Sequence, residues 1–210
     1  MPTSRLPVLA KRLVFFGAAQ VGKSAIIRRF ISQSFSEHYT PTVEDMFERP
    51  IDYQGKEIKL QILDTGGSFY FPAMHQLALN NGDLFVVVYS TDDTSSYHKA
   101  LETCDEIAKT RGPGMPIVVV ANKNDLGRRV EQAEAELMFC QWNTYQMESS
   151  AKEEDSIEEI FIRSLSLICA MDFNSPKDSS PMVCSVQRKR GSSFLTRIRS
   201  LARKMTNFPN

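Results

Sequence analysis

The chain is sparing with the residues that build disulfide scaffolds, metal centres and membrane spans. Its four cysteines, Cys104, Cys140, Cys169 and Cys184, show no paired metal-type spacing. Cys104 and Cys169 fall in stretches of helical pattern, so reduced and mostly buried thiols are expected rather than a disulfide framework. The three histidines, His38, His75 and His98, have no ligand spacing and read as surface residues. No run approaches the roughly 18 consecutive apolar residues of a membrane helix. The opening MPTSRLPVLAKR lacks the apolar core of a signal peptide, and cytoplasmic residence is the expectation. An excess of one charge is missing too, with 25 Lys and Arg against 25 Asp and Glu.

That balance hides an asymmetry. Residues 1–172 hold 17 basic and 24 acidic side chains, whereas residues 173–210 hold 8 and 1. An acidic body carries a basic tail, and the two should meet different partners. At 210 residues and 42% apolar content the chain can bury one sizeable core. The organisation reads as an extension over 1–10, one domain over 11–172, and a linker with a basic tail over 173–210.

Apolar runs recur at 12–16, 58–63, 84–89 and 117–121. Three of them are nearly unbroken Val, Ile, Leu and Phe, the pattern of strands covered on both faces by helices in a mostly parallel sheet. Residues 25–31, 94–109, 129–142 and 156–171 carry helical spacing, the last opened by Asp155 or Ser156 as a cap. Residues 46–53, followed by Gln54-Gly55, read as an edge strand entering a hairpin, and Pro50 suits an edge. The pattern predicts an α/β, doubly wound domain, whose ligands bind beyond the carboxyl ends of the strands.

The loop GAAQVGKS, residues 17–24, joins the first strand to the first helix. The spacing G-x-x-x-x-G-K-[ST] describes backbone N–H groups curled around a phosphate chain on a helix N-terminus. Gly17 and Gly22 permit the turn, and Ala19, Gln20, Val21 and Ala25 extend the cradle. Lys23 reaches the β- and γ-phosphates, and the Ser24 hydroxyl is placed for a magnesium ion. Such a pattern arises by accident in roughly one chain of this length in a hundred, so the other strand ends decide.

They supply DTGG at 64–67, NKND at 122–125 and SAK at 150–152. Asp64, at a strand end, can hold magnesium through water, and Gly67 lets an N–H approach a γ-phosphate. Asp125 can accept from two adjacent donors on one base edge, which guanine presents and adenine does not. Asn122 can tie this loop to the phosphate loop, the Lys123 stem can lie on the base, and the Ala151 N–H can meet the guanine O6.

Taken in order, GAAQVGKS, YTPTVED, DTGG, NKND and SAK resemble the small GTPases of the Ras superfamily over residues 11–172. The resemblance implies a P-loop NTPase G domain with a six-stranded sheet flanked by helices, binding GTP or GDP with magnesium. It makes Ser24, Thr42 and Asp64 the metal residues, puts Phe35 on the guanine ring, and adds Ser150, Ala151 and Lys152 to the base site. Lys23, Thr42, Gly67 and Ser68 fall where the family does its chemistry. Val43, Glu44 and Asp45 are similar to the effector edge of the Ras branch, and FPAM at 71–74 to the Rhes and Dexras type. Effectors and regulators are expected at 39–45 and 64–80, on a monomer.

Two departures stand out. Ala19 and Gln20 occupy positions that are usually glycine, and Ser68 occupies that of the glutamine that orients the attacking water. The resemblance therefore implies nucleotide binding with slow hydrolysis, the alternative being a GTP-locked adaptor that does not cycle.

In the tail, Phe194, Ile198, Leu201 and Met205 share one helical face, with seven Lys and Arg in 188–204. This basic amphipathic stretch, 187–205, suits an anionic membrane, the plasma membrane among others, or calmodulin. The chain ends TNFPN without a prenylation cysteine, while Cys184 is a candidate for acylation. Nucleic acid is not an expected partner, because interleaved aromatics are few.

Overall fold

The computed structural model describes residues 9–34, 40–53, 56–67 and 72–173. Six strands and five helices alternate along them: β1 (Leu9–Phe16), α1 (Lys23–Ser32), β2 (Glu44–Tyr53), β3 (Lys56–Thr65), α2 (Pro72–Asn81), β4 (Leu84–Ser90), α3 (Thr94–Arg111), β5 (Ile117–Asn122), α4 (Gln132–Phe139), β6 (Thr144–Glu148) and α5 (Glu154–Phe173). The sheet order is β2-β3-β1-β4-β5-β6, parallel except where β2 pairs antiparallel with β3. Tyr53 opposes Lys56 at the hairpin end, and Pro50 lies on the outermost strand, the position in a sheet that tolerates a residue without an N–H.

The unbroken apolar runs have a simple cause: both faces of each central strand are buried, and alternate residues serve opposite faces. Leu13, Phe15, Val86, Val88, Val118 and Val120 pack with Ile26 and Ile27 of α1 and Ile157, Ile160 and Phe161 of α5. Val14, Phe16, Phe85, Val87 and Val119 pack with Leu79 of α2, Cys104 and Ile107 of α3, and Phe139 of α4. Each such large side chain contributes roughly 1.5–3 kcal/mol by burial. Two cores thus clamp the sheet and fix the strand ends, where the loops of interest begin.

The structure departs from the sequence reading at several places. α4 spans 132–139 rather than 129–142, because the amides of Arg129 and Val130 donate to the Thr91 carbonyl and hold that segment out of the helix. α5 starts at Glu154, so Asp155 and Ser156 lie in its first turn rather than at its cap. The Ser156 hydroxyl instead donates to the carbonyls of Ser150 and Glu153. Cys140 is exposed, against the expectation of buried thiols, while Cys104 is buried. His75 is only partly exposed: its Nε2 lies 2.9 Å from Glu106 Oε2, and its ring packs on Phe16. The basic tail, Cys184, His38 and residues 1–8 lie outside the described residues. Among the described residues, no helix is long and apolar enough to cross a membrane.

Candidate functional site

The carboxyl ends of β1, β3, β5 and β6 open on one cleft of about 430 Å³. Its floor is the loop after β1. Gly17 has φ +143° and Gly22 φ +100°, and a Cβ on Gly22 would stand 2.2 Å from Asn122 Nδ2. A Cβ on Gly17 would strike the Val88 carbonyl oxygen at 2.1 Å. Between them Gln20 adopts φ +64°, a left-handed conformation that costs a side-chain-bearing residue about 1 kcal/mol. The departure from glycine at this position is therefore held against local preference.

Lys23 opens α1 and curls back over the loop, donating to the carbonyls of Gly17 at 2.9 Å and Ala18 at 2.8 Å. Burial lowers its pKa to about 8, with the negative charge of Asp64 opposing the shift. An ammonium held in this way beside a helix N-terminus favours an anion.

Next to it stands an oxygen-rich corner. Ser24 Oγ lies 3.0 Å from Thr42 Oγ1, which joins the first turn of α1 to the segment before β2. The register of β3 on β1 places Asp64 opposite Phe15, at the rim of the loop. Burial raises the Asp64 carboxyl above its usual range, against the Ser24 hydroxyl and the charge of Lys23; Asp45 adds to the rise and Arg28 opposes it. Asp64 Oδ1 is buried without a hydrogen-bond partner. Two hydroxyls and one orphaned carboxylate oxygen form a donor set that fits a small, hard divalent cation.

DTGG closes this corner by contact. A Cβ on Gly66 would lie 2.6 Å from the Val43 carbonyl oxygen, and one on Gly67 would lie 2.2 Å from the Ala19 nitrogen. Both glycines are needed because two backbones approach them directly.

At the other end, Asn122 donates to the Val21 carbonyl at 2.7 Å and accepts from Ser149 Oγ at 3.1 Å. Lys123 takes φ +62°, and its carbonyl accepts from Thr91 Oγ1. Asp125 receives Ser150 Oγ at 2.9 Å and Lys152 Nζ at 3.1 Å. Partial burial disfavours its charge, yet the hydrogen bonds from Lys152 and Ser150 prevail and hold the carboxyl below its usual range. A fixed carboxylate of this kind is an acceptor for paired N–H donors.

Of the residues singled out in the sequence, Ala19, Gln20, Gly22, Lys23, Ser24, Ala25, Thr42 and Gly67 line the phosphate-loop end of the cleft, and Asn122, Lys123, Asp125, Ser150, Ala151 and Lys152 the other. Gly17, Val21 and Asp64 are not in the lining, Val21 and Asp64 being buried. Phe35, Tyr39 and Ser68 lie outside the described residues. Arg28, Ser34, Thr40, Thr65 and Leu126 also line the cleft and were not expected. Thr65 and Leu126 adjoin the motifs that were read, and Arg28 follows Ser24 by one helical turn.

This sheet order, with a glycine-bounded loop leading into α1 and the cleft at the strand ends, defines a P-loop G-domain protein of the α/β class. The chain belongs to the Ras family, whose family model matches residues 12–170. It is similar to GTP-binding protein Di-Ras2 of Pongo abelii, at 38% identity over 160 residues, 74% of this chain and 80% of that protein. Its similarity to human GTP-binding protein Rhes is 36% over 163 residues, 71% of this chain but 61% of Rhes, less than two thirds of that relative's length.

Proposed function

We propose that the protein binds GTP and GDP with magnesium and works as a signalling switch that hydrolyses GTP slowly. One observation carries the reading most: a single cleft has a buried lysine and an oxygen-rich corner at one end and a carboxylate fixed by two donors at the other. That spacing of a phosphate end from a base end suits a nucleotide, and the Asp125 acceptor suits guanine.

The residues divide the work. Lys23 binds the phosphate chain and offsets its charge, while the amides of the loop and α1 orient it. Asn122 fixes the distance between the two ends of the cleft, and Asp125 selects the base. Ser24, Thr42 and Asp64 are the groups that would hold magnesium, which when bound neutralises charge on the β- and γ-phosphates. Thr42 and Gly67 sit in segments that touch the loop from two sides, so loss of a γ-phosphate contact would release both. Those segments, 39–45 and 64–80, are the surfaces offered to effectors and regulators.

The nucleotide retained after purification, with its GTP to GDP ratio, tests the reading. GDP as the main species supports a cycling switch. GTP as the main species supports a locked adaptor, which the residues Ala19 and Ser68 favour. No retained or exchangeable guanine nucleotide overturns both. The tail at 187–205 is proposed to hold the protein at an anionic membrane surface.

A further inference from the structure

We propose that Arg28 is a resident cation of the cleft that makes nucleotide retention less dependent on magnesium. The inference rests on the guanine-nucleotide reading above and adds a residue to its site.

Arg28 follows Ser24 by four residues on α1, so the two share one helical face with neighbouring Cβ atoms. The Ser24 hydroxyl already marks the oxygen-rich corner through its 3.0 Å approach to Thr42. Arg28 is exposed, yet it lines the cleft together with Ser34, Thr40 and Thr42. Its place in the lining beside Thr42, one helical turn from Ser24, puts its charge at the same corner.

The neighbouring cations have protein partners of their own. Lys23 is bonded to the carbonyls of Gly17 and Ala18. Arg29 donates to the Gln33 carbonyl and lies 3.8 Å from Glu154. The Arg28 guanidinium has no hydrogen bond or ion pair among the described residues.

Two electrostatic consequences act in the same direction. A positive charge in this lining offsets the carboxylate of the corner when no divalent cation does so, which keeps the corner tolerable to a phosphate chain. The same charge repels a divalent cation and so weakens its hold. Both make retention with magnesium and retention without it more alike.

The test loads the full chain with a fluorescent guanosine diphosphate and measures its dissociation rate in excess magnesium and in excess EDTA. The rate in EDTA divided by the rate in magnesium is the readout. Arg28→Leu and Arg28→Gln should each raise that ratio about tenfold, Arg28→Lys should leave it close to wild type, and Arg28→Glu should raise it further. Equal ratios in wild type and both neutral variants would overturn the inference while leaving the nucleotide reading intact. A rise in Arg28→Leu alone, with Arg28→Gln at the wild-type ratio, would also overturn it, because packing rather than charge would be the cause. Failure of the wild type to load any guanine nucleotide would overturn the reading beneath it, and the inference with it.

Discussion

Asn122 Nδ2 donates to the Val21 carbonyl at 2.7 Å across 101 residues of chain, and this bond joins the two ends of the cleft. Both partners are buried, with Asn122 1% exposed. Removing the amide leaves the Val21 carbonyl unsatisfied in a dry place, at a cost of about 1–3 kcal/mol. Asn122→Ala should therefore lower the melting temperature and speed nucleotide release, and differential scanning fluorimetry with a dissociation assay reads both. A variant that melted lower but released nucleotide at the wild-type rate would show that the bond only braces the fold.

Asp125 is expected to carry guanine specificity. Its substitution by Asn replaces one acceptor oxygen with a donor facing the N1–H and N2–H₂ groups of the base, a loss of about 2–4 kcal/mol on the scale of charged hydrogen bonds. Affinity for GTP should fall by orders of magnitude and that for xanthosine triphosphate should rise. Unchanged GTP affinity in a titration of Asp125→Asn would remove the base site from this end of the cleft.

Lys23 gives the site a pH dependence with a definite sign. Burial brings its pKa down from 10.5 to about 8, so the ligand-free fold binds fewer protons than the unfolded chain between those values. That one group destabilises the fold below pH 8, and the penalty is relieved as pH rises through 8 towards 10.5. A bound phosphate chain stabilises the ammonium and raises its pKa, so binding takes up a proton above pH 8. Apparent affinity should then weaken by up to about tenfold per pH unit above that point. Titrations with fluorescent GDP at pH 7, 8 and 9 would show it, and a flat profile would mean that Lys23 remains charged without ligand.

The parts of this architecture that were legible in the sequence are those fixed by local chemistry. LFVVVY and IVVVA announced strands because apolar residues on both faces leave no other use for such a run. Gly17 and Gly22 were legible because the loop conformation forbids a Cβ there. α2 was not, since PAMHQLALNN has only Ala78 and Leu79 buried and no strong apolar face. His75 was misread because its partner Glu106 is 31 residues away. Arg28 was invisible for a different reason: a charge on a helix normally signals solvent, and only the fold shows that its face borders the cleft.

The tail offers a prediction from charge alone. Seven Lys and Arg in residues 188–204 contribute on the order of 1 kcal/mol each near an anionic leaflet, and salt screens the effect. Vesicle sedimentation should find binding to anionic but not neutral lipid, lost in high salt and on deletion of 187–210. Equal binding to both lipids would turn attention to a protein partner such as calmodulin.

Hydrolysis is expected to be slower than in Ras, whose intrinsic rate is ~3–5 × 10⁻⁴ s⁻¹. A glutamine at position 68 would hydrogen-bond the attacking water as charge develops, a contact worth roughly 1.5–3 kcal/mol, and serine is too short to replace it. Its absence should slow the step roughly ten- to hundredfold. Ala19 acts separately. The DTGG turn lies directly on it, with the Gly67 Cβ position 2.2 Å from the Ala19 nitrogen, so Ala19, which carries a methyl, lies at the junction of the two segments. An activating protein that inserts an arginine at this junction would meet that methyl. Single-turnover assays should therefore show Ser68→Gln recovering part of the intrinsic rate, while Ala19→Gly changes the rate only in the presence of such a partner. Gly67→Ala should disturb both, because its side chain has no space except that of the loop backbone. A wild-type rate equal to that of Ras, or no gain from Ser68→Gln, would mean that another group positions the water and would remove the main support for a locked adaptor.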